Sequence, residues 1–436
     1  MKKIILSVLI AFSFNLSAFS AENDKKETKV ENNNLLTLFQ AIDIGVQNSY
    51  SLKQSNERVS TAKFQVTESF AVLLPQVSVS TSYGRQDPIS SPNASNQRAN
   101  TFTNQVGVNQ LLFSGFKVLD TIKLANVNVD LSQEAYRQSR QDVVNNISIA
   151  YFNTLKALQF VRITKESLKN SEEHLEHAKK LEKAGVGIKF DVIRANNQLV
   201  NIQMQLSQAL NAYEKSKKAL NLSMGRSIDF PFELNSEAKI PDLNVEDTKA
   251  LKDALENRSE LKQLKIKQSM DELTTTITSQ GNWPTITLNG GYNISDTAVV
   301  NTNAINNQNF RYGINMNWPL FDGLSTYAKV QKAQSQVIQD QVQIDQLQQS
   351  IILEVKQILL DLKENKERII LAKSGVSLAE EALRLAQIRY QNGVGINLDV
   401  LDAQNSLNQA KSNLVNAEFD LNISKMKLYR ALGVDI

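Results

Sequence analysis

Residues 184–199 read AGVGIKFDVIRANNQL and residues 392–407 read NGVGINLDVLDAQNSL. Nine of the sixteen positions are identical, and the copies begin 208 residues apart (392 − 184). Repetition at a fixed offset is the first thing to resolve in a sequence, because it sets the architecture. The offset holds well outside the quoted pair. LLFSGF (111–116) falls on PLFDGL (319–324), SEEHLEHA (171–178) on AEEALRLA (379–386), and Gly225 on Gly433. Upstream, LLPQVSVSTSYG (73–84) falls on NWPTITLNGGYN (282–293), one residue further apart. Neither copy gains or loses a residue between about 111 and 225, a discipline that suits rods packed side by side and that loops would not keep.

Each copy predicts the same order of elements. A helical stretch runs from Leu35 to about Val72, and from Thr248 to about Thr278 in the second copy. A proline follows, then an alternating run: Val77 and Val79 face one way and Ser78 and Ser80 the other, as do Ile286 and Leu288 against their neighbours. Period-two alternation between turn residues predicts strands at about 76–86 and 101–113, and at about 285–297 and 308–320. The segments between them, 87–100 and 298–308, read as polar loops. Residues 117–184 contain no Gly or Pro, and residues 324–392 contain only Gly375, so each predicts one very long helix, roughly 100 Å at 1.5 Å per residue. Ile352, Val355, Leu359 and Leu362 step like a heptad seam. The Gly-Val-Gly turns at 185–188 and 393–396 reverse the chain into a second helix. All seven prolines lie outside these long segments.

The remaining composition narrows the function. Lys2 and Lys3, an apolar run from Ile4 to Phe14 and Ala18-Phe19-Ser20 predict a signal peptide over 1–20. Residues 21–34 read as disordered; 35–241 form the first repeat and 242–436 the second. With no cysteine there is no disulfide framework or thiolate chemistry. Near-neutral charge offers nothing to nucleic acid. His174 and His177, the two histidines, stand at i, i+3; a solvated helix face is the expectation and a shared metal the alternative. No catalytic set, metal or cofactor site is expected, so an enzyme has almost nothing to work with.

Four strands per chain cannot close a barrel, and an open edge cannot face lipid. Three chains pooling twelve strands can. Trp283, Trp318, Phe113 and Phe321 at one end of the hairpins fit a membrane-interface girdle, unless they are the core of a soluble sheet.

These features in this order, above all RYQNGVGINLDVLDAQNSL (389–407) and LTLFQAIDIGVQNSYSLKQS (36–55), resemble the TolC family of outer-membrane export ducts. The resemblance implies an α+β membrane protein, a homotrimer whose twelve-stranded barrel continues into a periplasmic helical barrel of coiled-coil hairpins. It implies an outer-membrane lipid environment in a Gram-negative cell. It implies a periplasmic adaptor and an inner-membrane transporter (RND or ABC) as partners, with drugs or polypeptides passing unaltered. The two tips then form the entrance, with Gly185, Val186, Gly187, Gly393, Val394 and Gly395 meeting the adaptor. Asp399 and Asp402, i, i+3 on one helix face, would form an electronegative constriction; as helix-start residues they also suit the macrodipole. Tyr390 and Asp191 match the family's latch. Gly395 stands where the family pattern has an arginine, so Arg194 or Lys189 is expected to supply the ion pair. A trimeric coiled-coil surface or scaffold protein with a barrel anchor is the alternative; two hairpins at matching places in each copy argue against it.

Overall fold

The computed structural model describes residues 35–86, 99–235, 240, 246–299 and 305–434. The expected signal peptide and disordered segment, residues 87–98 of the first predicted loop and residues 300–304 of the second lie outside the described residues; 99–100, 298–299 and 305–308, read as loop, are strand, because backbone pairing continues through them. Two short helices, α1 (Leu38–Asn48) and α2 (Tyr50–Ala71), occupy the first helical stretch. Thr37 and Gln40 cap α1 reciprocally. Ser49 breaks the run in an extended conformation and its Oγ receives the Leu52 amide, starting α2. The second copy breaks at the equivalent Arg258, between α5 (Asp247–Asn257) and α6 (Ser259–Ser279). Each predicted single helix is therefore two, because these residues hold ψ near +120° and cannot continue an α-helix.

The long helices are α3 (Lys117–Lys183) and α7 (Ser325–Gln391), each of 67 residues, returning as α4 (Lys189–Ser223) and α8 (Asn397–Ala431), each of 35. Equal lengths in the two copies give two hairpins with their tips at one level. The buried seam of α7 runs through Ile344, Ile351, Val355 and Ile358, with Leu359 and Leu362 on its flank. That register is rotated from the predicted one. The opposite side of α7 is also apolar: Leu353, Leu360, Leu371, Leu378 and Leu385 are exposed at heptad-like spacing. A helix with two apolar stripes has a partner on each; within the protomer one stripe is unpartnered.

Midway along the helices, β1 (Leu35–Leu36) pairs in parallel with β4 (Glu233–Leu234), so the linker between the copies clips back onto the start of the first. Beneath it Tyr151, Phe152, Ile147, Leu155, Leu220 and Met224 are fully buried. The Tyr151 hydroxyl points at the carbonyls of Leu36 and Asn235, each at 3.0 Å, and burial pushes its pKa to about 12.

The remaining strands form a four-stranded antiparallel sheet in the order β2 (Gln76–Gln86), β3 (Ala99–Phe113), β5 (Thr285–Val299), β6 (Ile305–Asn317). The copies join through β3 and β5, and β2 and β6 are open edges. Directly opposed residues share a face. One face carries Val77 with Val108, Val79 with Val106, Tyr83 with Phe102, Tyr292 with Phe310 and Leu288 with Ile314. The other carries Ser80 with Gln105, Ser82 with Thr103, Thr287 with Asn315 and Asn293 with Asn309. An apolar outside and a polar inside is the pattern of a lipid-embedded barrel wall, inverted from a soluble sheet packed on a core. The last strand ends at Asn317 rather than 320, because Pro319 has no amide to pair.

Trp283, Phe113 and Phe116 cluster where strand meets helix, with ring centroids 5.7–6.5 Å apart. Trp318, just past β6, donates its indole N–H to the Asn282 carbonyl at 3.1 Å, and Phe321 is exposed nearby. Gly115 takes φ +63° here and lies so close to Trp283 that a Cβ would come 2.3 Å from the tryptophan's own Cβ.

Candidate functional site

The two tips share one backbone solution. Each long helix ends on a glycine in the left-handed region, Gly185 (φ +75°) and Gly393 (φ +72°). The next two amides fold back on a single carbonyl: Val186 and Gly187 on Leu181, Val394 and Gly395 on Arg389, at 2.9–3.1 Å. Gly187 and Gly395 pass so close to the helix end that a Cβ would meet backbone at about 3.0 Å. This explains why the second position stays glycine in both copies, including Gly395. Val186 and Val394 stand 78% and 70% exposed, with Ile188 and Ile396 beside them. Each turn therefore presents an apolar knob to whatever lies beyond the tip.

Asp399 and Asp402 are exposed on one face of the first turns of α8, while Val400, Leu401, Gln404 and Leu407 fill the opposite face. No ion pair engages either carboxylate among the described residues. In the first copy Asp191 stands at the position of Asp399, and Arg194 at that of Asp402. Arg194 lays its guanidinium over its own Phe190 ring at 4.6 Å. Lys189 forms no ion pair among the described residues. Neither cation joins the two hairpins by an ion pair among the described residues.

What does bridge the hairpins was not legible in the sequence. Tyr390, at the end of α7, is 7% exposed and rests against His174 and His177 of α3, with ring centroids 5.4 and 5.9 Å apart. The histidines are thus an interhelical contact, and the expected solvated face is corrected: His174 is itself only 7% exposed. Its Nε2 lies 2.6 Å from Asn397 Oδ1. Asn397 Nδ2 donates to the Asp191 carbonyl at 3.1 Å, which orients the oxygen towards the ring and makes His174 Nε2–H the donor. No hydrogen bond joins Tyr390 to the Asp191 side chain among the described residues, but burial first and the Asp191 charge second hold the phenol above its ordinary range. Burial pushes the His174 pKa down; His177 adds to this, and Asn397 and Asp191 only partly offset it.

Above the tip the hairpins are laced by further polar contacts. Gln198 donates to Asn405 at 2.8 Å, Asn408 to Ser167 at 2.6 Å, and Lys411 reaches Glu166 at 2.8 Å. At mid-length Arg430 of α8 meets Asp142 at 2.8 Å, Glu260 at 3.0 Å and Glu354 at 3.8 Å, and Arg258 shares Glu260 and Glu354. The hairpins are therefore anchored in the middle by charge and joined at the tip by neutral, separable contacts.

With this geometry in place, the chain can be set beside known proteins. The family model described as outer membrane efflux protein matches residues 42–226 and again residues 250–434, the same 208-residue displacement (250 − 42) that the sequence shows. Outer membrane protein TolC of Vibrio cholerae serotype O1 is 24% identical over 377 residues, 84% of this chain and 84% of that protein. Outer membrane protein TolC of Escherichia coli K12 is 23% identical, covering 99% of this chain and 87% of that protein. Among solved structures, the Campylobacter jejuni CmeC outer membrane channel superposes with a TM-score of 0.79 at 18% identity, over 92% of this chain and 86% of that one.

Proposed function

Because the chain belongs to the outer membrane efflux protein family, matched over both halves, we propose that its hairpin tips form the gated periplasmic mouth of the duct. The protein is an outer-membrane export channel: a trimeric twelve-stranded barrel continued by a helical tunnel, through which cargo passes without chemical change. The observation that carries this reading is the sheet. Its two open edges, β2 and β6, and its apolar outer and polar inner faces are satisfied together when three protomers close one barrel. The unpartnered stripe of α7 then meets a neighbouring protomer.

Three copies of two tips place six turns around the mouth. The apolar knobs at Val186 and Val394 suit a periplasmic adaptor, through which an inner-membrane transporter of the RND or ABC class would load the duct. Asp399 and Asp402 would contribute six carboxylates around the opening, a ring that attracts cations and repels anions. Arg194 or Lys189 would then pair with an acidic tip residue of a neighbouring protomer, in the role the family pattern gives to the arginine replaced by Gly395.

Single-channel recording in planar bilayers tests this. A small, cation-selective conductance is expected, blocked by multivalent cations from the tip side and relieved in Asp399→Asn/Asp402→Asn. Protein that extracts without detergent and conducts nothing would overturn the duct. A channel indifferent to both substitutions would remove these aspartates from the entrance.

A further inference from the structure

The tip contact has a composition that a merely structural contact would not need. Hydrophobic packing with one amide–amide bond would hold the hairpins together at any pH. Instead, both histidines of the chain sit in this contact, on successive turns of α3 and against one tyrosine ring. His174 is bonded across the gap to Asn397. His177 Nδ1 is buried with no hydrogen-bond partner among the described residues. A proton added there would find no acceptor while the hairpins stay together.

We propose that His174 and His177, closed against Tyr390 and Asn397, form a proton-released lock that keeps the mouth shut at neutral pH and frees it in acid. The inference rests on the reading of the tips as a gate. Its chemistry follows from how the neutral contact is made. With Nε2–H donating to Asn397, the next proton goes to Nδ1 and puts a full charge in a site with little water. The groups facing His174 are His177 on α3, Asp191 on α4, Tyr390 on α7 and the neutral Asn397 on α8. Asp191 favours the charge, whereas burial and His177 oppose it, and the balance is against it.

The direction of the pH effect follows. In the open state the imidazole is in water with an ordinary value near 6.5. In the closed state it lies lower, so the open state binds more protons and acid favours opening. Closure is fully supported above about pH 6.5 and weakens as pH falls towards the closed-state value. At pH 5.5, one unit below the free value, a single site can shift the open fraction by at most about tenfold, and three moving together by about a thousandfold.

The test is conductance of the detergent-purified full-length trimer in planar bilayers, with the tip side at pH 7.5 and then 5.5. Wild type is compared with His174→Gln/His177→Gln and with Asn397→Ala, each checked as an SDS-resistant trimer. Wild type is expected to rise in conductance by tenfold or more in acid, the glutamine pair to stay closed at both pH values, and Asn397→Ala to conduct at both. An acid response that persists in the glutamine pair assigns the proton elsewhere and overturns the lock. A wild type indifferent to pH, with Asn397→Ala open, overturns the lock and leaves the gate standing. If Asn397→Ala stays closed and Asp399→Asn/Asp402→Asn leaves the multivalent-cation block in place, the gate falls as well. Should the double variant fail to trimerise, His177→Gln replaces it, and that variant must move the midpoint of the acid response or the lock is refuted.

Discussion

Replacing Arg430 with methionine should loosen the middle of the molecule while leaving its mouth intact. The guanidinium makes two charge-assisted bonds, to Asp142 of α3 at 2.8 Å and Glu260 of α6 at 3.0 Å, and lies 3.8 Å from Glu354 of α7. It thus ties four helices, including its own. Removal leaves Glu260 and Glu354 their pairs with Arg258 and takes from Asp142 its bond to Arg430. Bonds of this kind contribute about 1.5–3 kcal/mol each when shielded. The partners are from about a fifth to two-fifths exposed, so solvent screening halves that sum, to about 1.5–3 kcal/mol per protomer. Methionine keeps most of the stem, so the loss reports charge more than packing. The assay is urea unfolding of the detergent-solubilised trimer at fixed protein concentration, followed by circular dichroism, with Glu354→Gln completing a double-mutant cycle. In 1 M salt the difference should shrink, because screening then acts over about 3 Å. Burial pushes the Glu260 pKa up, but Arg258 and Arg430 outweigh it and the value is lowered. Glu260 therefore contributes stability above its ordinary value of 4.5 that is lost as pH falls, and the variant should lose less on acidification. Unfolding coincident with wild type, within about 0.3 kcal/mol, would refute the claim that this network anchors the hairpins.

The junction and the latch yield two more expectations. Gly115→Ala meets both a left-handed backbone and the Trp283 side chain and should cost about 2–4 kcal/mol, whereas Gly323→Ala meets open space at φ +66° and should cost only about 1–2 kcal/mol. Trimer melting temperatures of the two variants test the ordering, and equal losses would remove the Trp283 contact from the argument. Tyr390→Phe keeps the ring on the histidines and should leave the conductance low, whereas Tyr390→Ala should raise it. Equal opening by both would mean that the hydroxyl, not the ring, carries the contact.

The sequence by itself determined the repeat, the long uninterrupted helices, the strand segments and the glycine turns. These are local properties: periodicity, the absence of helix breakers and left-handed glycine act within a few residues, and both copies report them independently. It also determined the shared helix face of Asp399 and Asp402, which three residues of helix fix. Tertiary structure decided everything that depends on which surfaces meet. The pairing of β3 with β5 joins strands about 190 residues apart, and no turn chemistry encodes it. The seam on α7 shifted because that helix carries apolar residues on two sides, so sequence spacing admits more than one register. The histidines were misread as a solvated face because their neighbours Glu172, Glu173 and Glu176 are charged. Their burial is made by Tyr390 and Asn397, more than 200 residues away, and i, i+3 spacing says where a helix face points but not what covers it.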